Sequence, residues 1–98
     1  MSVSEQQIEQ IRESVNIVDI ISQYVDLKKR GKNYIGRCPF HNEKTPSFTV
    51  NEEKRIYHCF GCHAGGNVFK FLMEIKNISF VEALKETASF AGINIEEE

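Results

Sequence analysis

The sequence predicts an α+β fold in which α-helices flank a small antiparallel β-sheet. Three observations lead to this class. Apolar residues recur at helical intervals near both ends of the 98-residue chain. In the middle, apolar and polar residues alternate with period two, and turn-forming residues separate the alternating segments. Two pairs of potential metal ligands follow these segments. We expect a single domain over residues 1–98.

The N-terminal segment, residues 4–24, is predicted to be a helical lead-in. Ser4 begins a capping box, and apolar residues then recur at helical spacing to about residue 14. Asn16 is suited to cap a second, short helix whose apolar face ends near Tyr24. The lead-in should therefore contain two helices.

The central segment, residues 25–63, is predicted to form two β-hairpins. The first has strands over residues 25–28 and 34–37, joined by a glycine-containing turn. The second has strands over residues 48–50 and 55–58, joined by a polar turn. Each hairpin leads directly into one pair of potential metal ligands.

The C-terminal segment, residues 67–91, is predicted to form two further helices. Asn67 can cap the first helix, and Asn77 is suited to stop it. Ser79 begins another capping box, and Gly92 is a favourable residue just beyond the end of the last helix.

The two ligand pairs have the patterns Cys-x-x-His and Cys-x-x-Cys. Cys38, His41, Cys59 and Cys62 together supply three thiolates and one imidazole, which is the donor set of a closed tetrahedral zinc site. The seventeen residues between His41 and Cys59 suffice for two strands and a turn. We therefore expect one structural Zn²⁺ and a zinc ribbon, with no open position for catalysis.

Two other histidines adjoin the cysteines in sequence. His58 and His63 are each the direct neighbour of a cysteine, and neighbouring residues on a strand point to opposite sides. His41 has the mirrored spacing and is therefore the favoured fourth ligand. We interpret His58 and His63 as surface groups, or as groups that contact phosphate or a ligand sulfur.

Charge is strongly segregated along the chain, although the formal net charge is only −2. From residue 28 to residue 70 there are nine cations and three acids, whereas the two flanks hold three cations and eleven acids. Aromatic residues are interspersed among the central cations, which suits stacking of unpaired bases beside held phosphates. The basic residues 28–30 have a simpler alternative role, protection of an edge strand against aggregation. We expect nucleic-acid contact.

Other features limit the classes of function and location. All three cysteines belong to the ligand set, so none remains for a disulfide or a nucleophile. The odd cysteine number, the polar N-terminus and the absence of a long apolar run predict a cytoplasmic protein without a membrane segment. No arrangement typical of catalysis is present, so we expect a binding module.

Several motifs closely resemble the N-terminal zinc-binding domain of bacterial DNA primases. They are the stretch 33–48, which contains Cys-Pro-Phe-His and Glu-Lys-Thr-Pro-Ser-Phe, and the stretch 57–67 around Cys-Phe-Gly-Cys. Residues 18–21 and 71–73 extend the similarity over nearly the whole chain. One departure is His63, because family members commonly carry glycine after the last cysteine.

The resemblance implies a part in the synthesis of RNA primers on single-stranded DNA during replication. It implies that the zinc domain recognises the template, and that the catalytic domain with its Mg²⁺ and the region that engages the replicative helicase lie elsewhere. We therefore expect an N-terminal piece of a primase with the same four zinc ligands. The implied nucleic-acid contacts are Lys29, Arg30, Lys32, Tyr34, Arg37, Lys44, Phe48, Lys54, Arg55 and Tyr57.

Two alternatives remain open from the sequence. The ribbon could be a protein-interaction module that docks on the catalytic domain or another replication protein without touching DNA. A stand-alone enzyme is less favoured, because the chain lacks an acidic metal site.

Overall fold

The elements of the computed structural model, which describes residues 4–40 and 46–93, follow the predicted order. No helix within these two ranges is long and apolar enough to cross a membrane. The predicted α+β class, with a small antiparallel sheet between N-terminal and C-terminal helices, is confirmed. The helices and strands are α1 (Glu5–Ser14), α2 (Ile17–Ile21), β1 (Lys28–Arg30), β2 (Asn33–Gly36), β3 (Phe48–Asn51), β4 (Ile56–Cys59), β5 (Gly65–Gly66), α3 (Val68–Lys76) and α4 (Phe80–Ala91).

Every helix begins at a side chain that accepts a backbone N–H from its first turn. This satisfies donors that have no partner within the helix. Helices α3 and α4 both end at a left-handed residue, Asn77 and Gly92 respectively, as predicted. The four capping side chains, all predicted, are Ser4, Asn16, Asn67 and Ser79.

Asn16 also ties the lead-in to the sheet. Its Oδ1 accepts a hydrogen bond from the N–H of Val18 at 2.9 Å, and its Nδ2 donates to Oε2 of Glu52 at 2.6 Å. Glu52 lies in the turn between β3 and β4. The start of α2 and the end of the second hairpin are thus held by one side chain.

The second helix is shorter than predicted. It ends at Ile21, and the N–H groups of Tyr24 and Val25 both donate to the carbonyl of Ile21 at 2.9 Å. The resulting turn brings Val25 into the core and leaves Tyr24 42% exposed. Tyr24 was expected on the apolar face of this helix, and that expectation is wrong.

The sheet places its five strands in chain order, and all neighbouring strands are antiparallel. The two predicted hairpins are present, but β1 begins at Lys28 rather than at residue 25. Strand β5 was not predicted. It consists of Gly65 and Gly66, which pair with His58 and Tyr57 of β4. Two glycines carry no side-chain alternation that would reveal a strand.

The pairing register assigns alternate residues to two faces of the sheet. Helices α2 and α3 pack on one of them, which we call the covered face. The other, the open face, carries polar and partly exposed side chains. The covered face holds Lys29, Tyr34, Gly36, Phe48, Val50, Tyr57 and Cys59. The open face holds Lys28, Arg30, Asn33, Ile35, Thr49, Asn51, Ile56 and His58.

Four aromatic rings form the core beneath the covered face. Phe48 stacks on Tyr57 with ring centroids 5.5 Å apart, and Phe71 of α3 meets Tyr57 edge-on at 5.5 Å. Phe40, from the loop after Cys38, contacts Phe71 at 5.7 Å. Offset and edge-on pairs of this kind add stability beyond the burial of their area. The rings connect the loop, the sheet and the helix.

Replacement of Tyr57 by phenylalanine should stabilise the protein. The Tyr57 hydroxyl is buried and has no hydrogen-bond partner in the described structure, and burial also raises the pKa of Tyr57 so that it stays neutral. An unpartnered buried hydroxyl is costly, so we expect Tyr57→Phe to raise the free energy of unfolding by about 1 kcal/mol in urea titrations. The half-buried Tyr34→Phe is the control and should change little. A loss of stability in Tyr57→Phe would contradict the prediction.

Candidate metal centre and nucleic-acid interface

Three cysteine side chains meet at one end of the sheet. Cys38 follows β2, Cys59 ends β4, and Cys62 lies in the loop before β5. Their Sγ atoms lie within 4.8 Å of one another, and those of Cys38 and Cys62 are 3.7 Å apart. Zn–S bonds of about 2.3 Å in a tetrahedral site place two sulfur ligands about 3.8 Å apart. The donor type and the spacing both fit a structural zinc ion.

Two predicted site residues, His41 and Lys44, lie outside the described residues. Within the part of the chain that is described, the group of possible metal ligands consists of the three cysteines and includes neither His58 nor His63. The His58 ring instead lies on the open face, with its centroid 4.7 Å from that of Phe60. The three cysteines therefore leave one position of a tetrahedral site for another donor.

Hydrogen bonds to sulfur distinguish the two buried cysteines. The N–H of Phe40 donates to Sγ of Cys38 at 3.4 Å, but burial dominates and raises the pKa of Cys38. Burial also acts to raise the pKa of Cys59. There, hydrogen bonds from the Ser47 hydroxyl, 3.5 Å away, and from two backbone N–H groups of the following loop outweigh burial and lower the pKa to about 7. Of the two buried cysteines, Cys59 is thus the one that loses its proton more readily and is better prepared to bind a metal ion at neutral pH.

A basic groove of about 560 Å³ runs along the β1 edge of the sheet. Its lining includes Lys28 and Arg30 of the open face, Arg37 after β2, and one acid, Asp26. Two prolines from the loops near the cysteines complete the lining of the groove. The three cations have the exposure and the common location that phosphate binding requires.

The other predicted basic contacts are more dispersed. Lys29 lies at the outer edge of the covered face beside Tyr34, opposite to the side of its neighbours in β1. Lys32 lies in the turn between β1 and β2. Lys54 and Arg55 lie in the turn between β3 and β4, where Arg55 lines a second groove that includes two carboxylates. One continuous surface does not contain all of them.

Two of the three rings of the sheet that are predicted to stack on bases, Phe48 and Tyr57, cannot do so in this fold. Phe48 is 0% exposed and Tyr57 is 1% exposed, since both belong to the aromatic core of the covered face. Their prediction as nucleic-acid contacts is wrong. The sequence pattern identified them as aromatic neighbours of cations, but it did not assign the face on which each ring lies.

The open face has its own aromatic side chains, His58 and Phe60. The sequence places His58 at the surface, but neither ring is among the predicted stacking contacts. Phe60 is 68% exposed and packs against His58, and Lys28 was likewise missed on the same side of the sheet. The sequence itself contains the information that assigns these rings to the open face. Because Cys59 must face the metal site, His58 and Phe60 on either side of it must point to the other face. Tyr57, two residues before Cys59, then belongs inside.

A model of the CHC2 zinc finger matches residues 3–98 of the chain. The chain belongs to this family. The three clustered thiols are consistent with a zinc finger of this kind, whose fold supports the ligand set at the end of a small sheet.

This CHC2 zinc finger has close relatives among DNA primases. It is 59% identical over 93 residues to a DNA primase of Geobacillus stearothermophilus and 54% identical over 96 residues to one of Staphylococcus epidermidis, covering 95% and 98% of this chain. The chain spans only 16% of the length of either relative. It also superposes on the crystal structure of the zinc-binding and RNA polymerase domains of the Aquifex aeolicus primase. The TM-score is 0.85 and the identity 42%, over 100% of this chain and 23% of that chain.

Removal of the Ser47 hydroxyl should make this zinc finger lose its metal at a higher pH. Protons compete with zinc for sulfur, and Ser47→Ala removes a hydrogen bond that lowers the pKa of Cys59. A higher pKa of Cys59 means that its protonation displaces zinc at a higher pH. The pH midpoint of zinc release should therefore rise by up to about half a pH unit. Zinc release into a chromogenic chelator between about pH 4 and 8 measures the midpoint. Ser89→Ala, an exposed change on α4, is the control. Equal midpoints for both variants would refute the role of Ser47.

Proposed function

We propose that this chain is the zinc-binding, template-recognition part of a DNA primase, an enzyme that makes RNA primers for DNA replication. One observation carries the proposal: two aromatic rings, the exposed Phe60 and the half-buried His58, share the open face with the exposed cations Lys28 and Arg30. A sheet with rings and cations on one side suits a single strand, whose bases stack while its phosphates are held by charge. The names of the two relatives described above, both DNA primases, support the assignment.

One zinc ion is proposed at the cysteine cluster, held by Cys38, His41, Cys59 and Cys62. This set is closed, so the metal holds structure and offers no position for a reacting water. Two of the ligands are Cys38, which follows β2, and Cys59, which ends β4. Binding of both to one metal ion determines the position of the neighbouring loops. The metal thus keeps the basic groove and the rings of the open face on one surface.

The proposed strand places its phosphates in the groove of Lys28, Arg30 and Arg37 and its bases toward His58 and Phe60. Phosphate contacts hold the strand, whereas contacts to bases distinguish sequences. Further phosphate or base contacts are proposed at six other residues. They are Lys29, Lys32, Tyr34, Lys44, Lys54 and Arg55.

The rest of the primase reaction is assigned to parts of the enzyme outside this chain. RNA polymerisation with Mg²⁺ belongs to a separate catalytic domain, with which the zinc finger cooperates at a cytoplasmic replication fork. Contact with the replicative helicase is assigned to another region. Within this chain we propose one domain over residues 1–98, composed of the lead-in 4–24, the ribbon 25–63 and the C-terminal helices 67–91.

A second candidate function is docking on the catalytic domain or another replication protein without contact to DNA. A groove of about 320 Å³ between the helices favours it. Tyr24 and Phe90, exposed by 42% and 49%, line this groove above buried Ile20 and Leu72. Such a function does not need the cations of the open face, and their replacement therefore separates the two candidates.

Zinc removal should unfold the ribbon and spare part of the helical signal. The sheet is small, and a structural zinc ion contributes folding free energy directly. We expect about one zinc per chain by elemental analysis after purification without chelator, and loss of sheet signal in circular dichroism after treatment with EDTA. His41→Ala should lose the metal, whereas His58→Ala, the matched histidine control, should keep it. Metal retention in His41→Ala would exclude His41 as the fourth ligand.

Replacement of Arg30 or Arg37 by alanine should weaken binding of single-stranded DNA. Each loss of a phosphate contact should reduce affinity about fivefold at low salt and lower the slope of log K against log salt by about 0.7. Fluorescence anisotropy with a labelled oligonucleotide measures both quantities. Lys85→Ala, a charge-matched change on α4, is the control and should bind as wild type.

The outcomes separate the two candidates. Absence of binding by the wild type at low salt, or equal binding by Arg30→Ala, Arg37→Ala and wild type, would overturn the template-recognition proposal. Saturable binding of a separate catalytic domain that is insensitive to these changes would then favour the docking function.

A further inference from the structure

His63 has a backbone conformation that favours glycine. Its φ is +64°, in the left-handed region where a Cβ atom crowds the backbone. The conformation is imposed by the tight loop around the cysteines. The N–H of His63 donates to the carbonyl of Cys59 at 2.8 Å, and the N–H of Cys59 donates to the carbonyl of Ala64 at 2.7 Å. Glycine would fit this loop without strain, yet the chain carries a large side chain here.

The His63 side chain extends the rings of the open face. Its centroid is 6.4 Å from that of His58, which in turn packs edge-on against Phe60 at 4.7 Å. His63 and Phe60 are both exposed. We call these three residues the ring platform. Gly65 leaves space for it, because a Cβ at Gly65 would lie 3.2 Å from Nδ1 of His58.

The chemistry of the ring platform fits one unpaired base. A base has two flat faces that stack on aromatic rings, and an imidazole adds a donor and an acceptor that can meet the edge of a base. Lys28 and Arg30 of the same face lie in the β1-edge groove, at the opposite side of the sheet from β4 and β5, so the ring platform lies away from that groove. A contact made by His63 would therefore depend on base identity rather than on phosphate charge.

We propose that His63 is a base-contacting residue that contributes to sequence preference, holding one unpaired base of a single strand against Phe60 and His58. This inference rests on the proposed function of the open face. It assigns to His63 a role in recognition that offsets its unfavourable backbone conformation.

The test compares His63→Asn, His63→Gly and His63→Tyr in the full chain with zinc. The probes are labelled dT12, dC12 and dA12 and an abasic strand of the same length, in fluorescence anisotropy. Asparagine tolerates the left-handed region but has no ring, glycine removes the side chain, and tyrosine keeps a ring. We expect His63→Asn and His63→Gly to lose about fivefold in affinity for the base-containing strands. Their affinities for dT12, dC12 and dA12 should also differ less from one another than those of the wild type. Binding of the abasic strand and the salt slope should not change, and His63→Tyr should retain more affinity than His63→Asn.

Stability supplies an independent readout. His63→Gly relieves the left-handed strain, so its melting temperature should equal or exceed that of the wild type even though it binds bases more weakly. A lower melting temperature or substoichiometric zinc in His63→Gly would make the role structural and overturn the inference. If the His63 variants bound every strand with the same affinity as the wild type while Arg30→Ala bound more weakly, the role of His63 would be overturned and the proposed function would stay intact. No binding of any strand by the wild type would refute both.

Discussion

Packing among four aromatic rings is the interaction on which the rest of the structure depends. Phe40, Phe48, Tyr57 and Phe71 come from a loop, two strands and a helix, and all six pairs of ring centroids lie between 5.5 and 6.4 Å. These rings fill the covered face, so the strands direct their intervening side chains outward. The same packing brings the loop after Cys38 against the sheet. The positions of the cysteine cluster and of the open face therefore follow from one core.

Most of the helical structure could be predicted because its signals are local. A cap depends on a side chain and a backbone N–H only a few residues apart, and all four predicted caps form. The features that could not be predicted depend on tertiary packing. Helix α2 ends early because Val25 must reach the core, and β5 exists because β4 supplies hydrogen bonds to two glycines that have no side-chain pattern.

The candidate site was predictable to the extent that spacing determines it. The three cysteines come together as their pattern indicates. The ring residues required a decision about faces, and a shift of one residue exchanges the buried set for the exposed set. For this reason the prediction chose Tyr57 and Phe48 as stacking rings and omitted Phe60, and it placed His58 at the surface without a role in stacking. A ligand cysteine in the same strand is a reference for the inward direction. It placed His58 at the surface, and the same reference applied to Tyr57 and Phe60 would have corrected their assignment.

The unequal exposure of the cysteines has a consequence for how the metal centre fails. Cys38 and Cys59 are buried, whereas Cys62 is exposed. With zinc bound as proposed, an oxidant meets the sulfur of Cys62 first, and the ligands under the rings are shielded. Damage then begins in the loop that carries Phe60 and His63, so oxidative stress would disturb the proposed base contacts before the core of the domain unfolds. The loop that is proposed to contact the template thus also carries the ligand cysteine that is most exposed to oxidation.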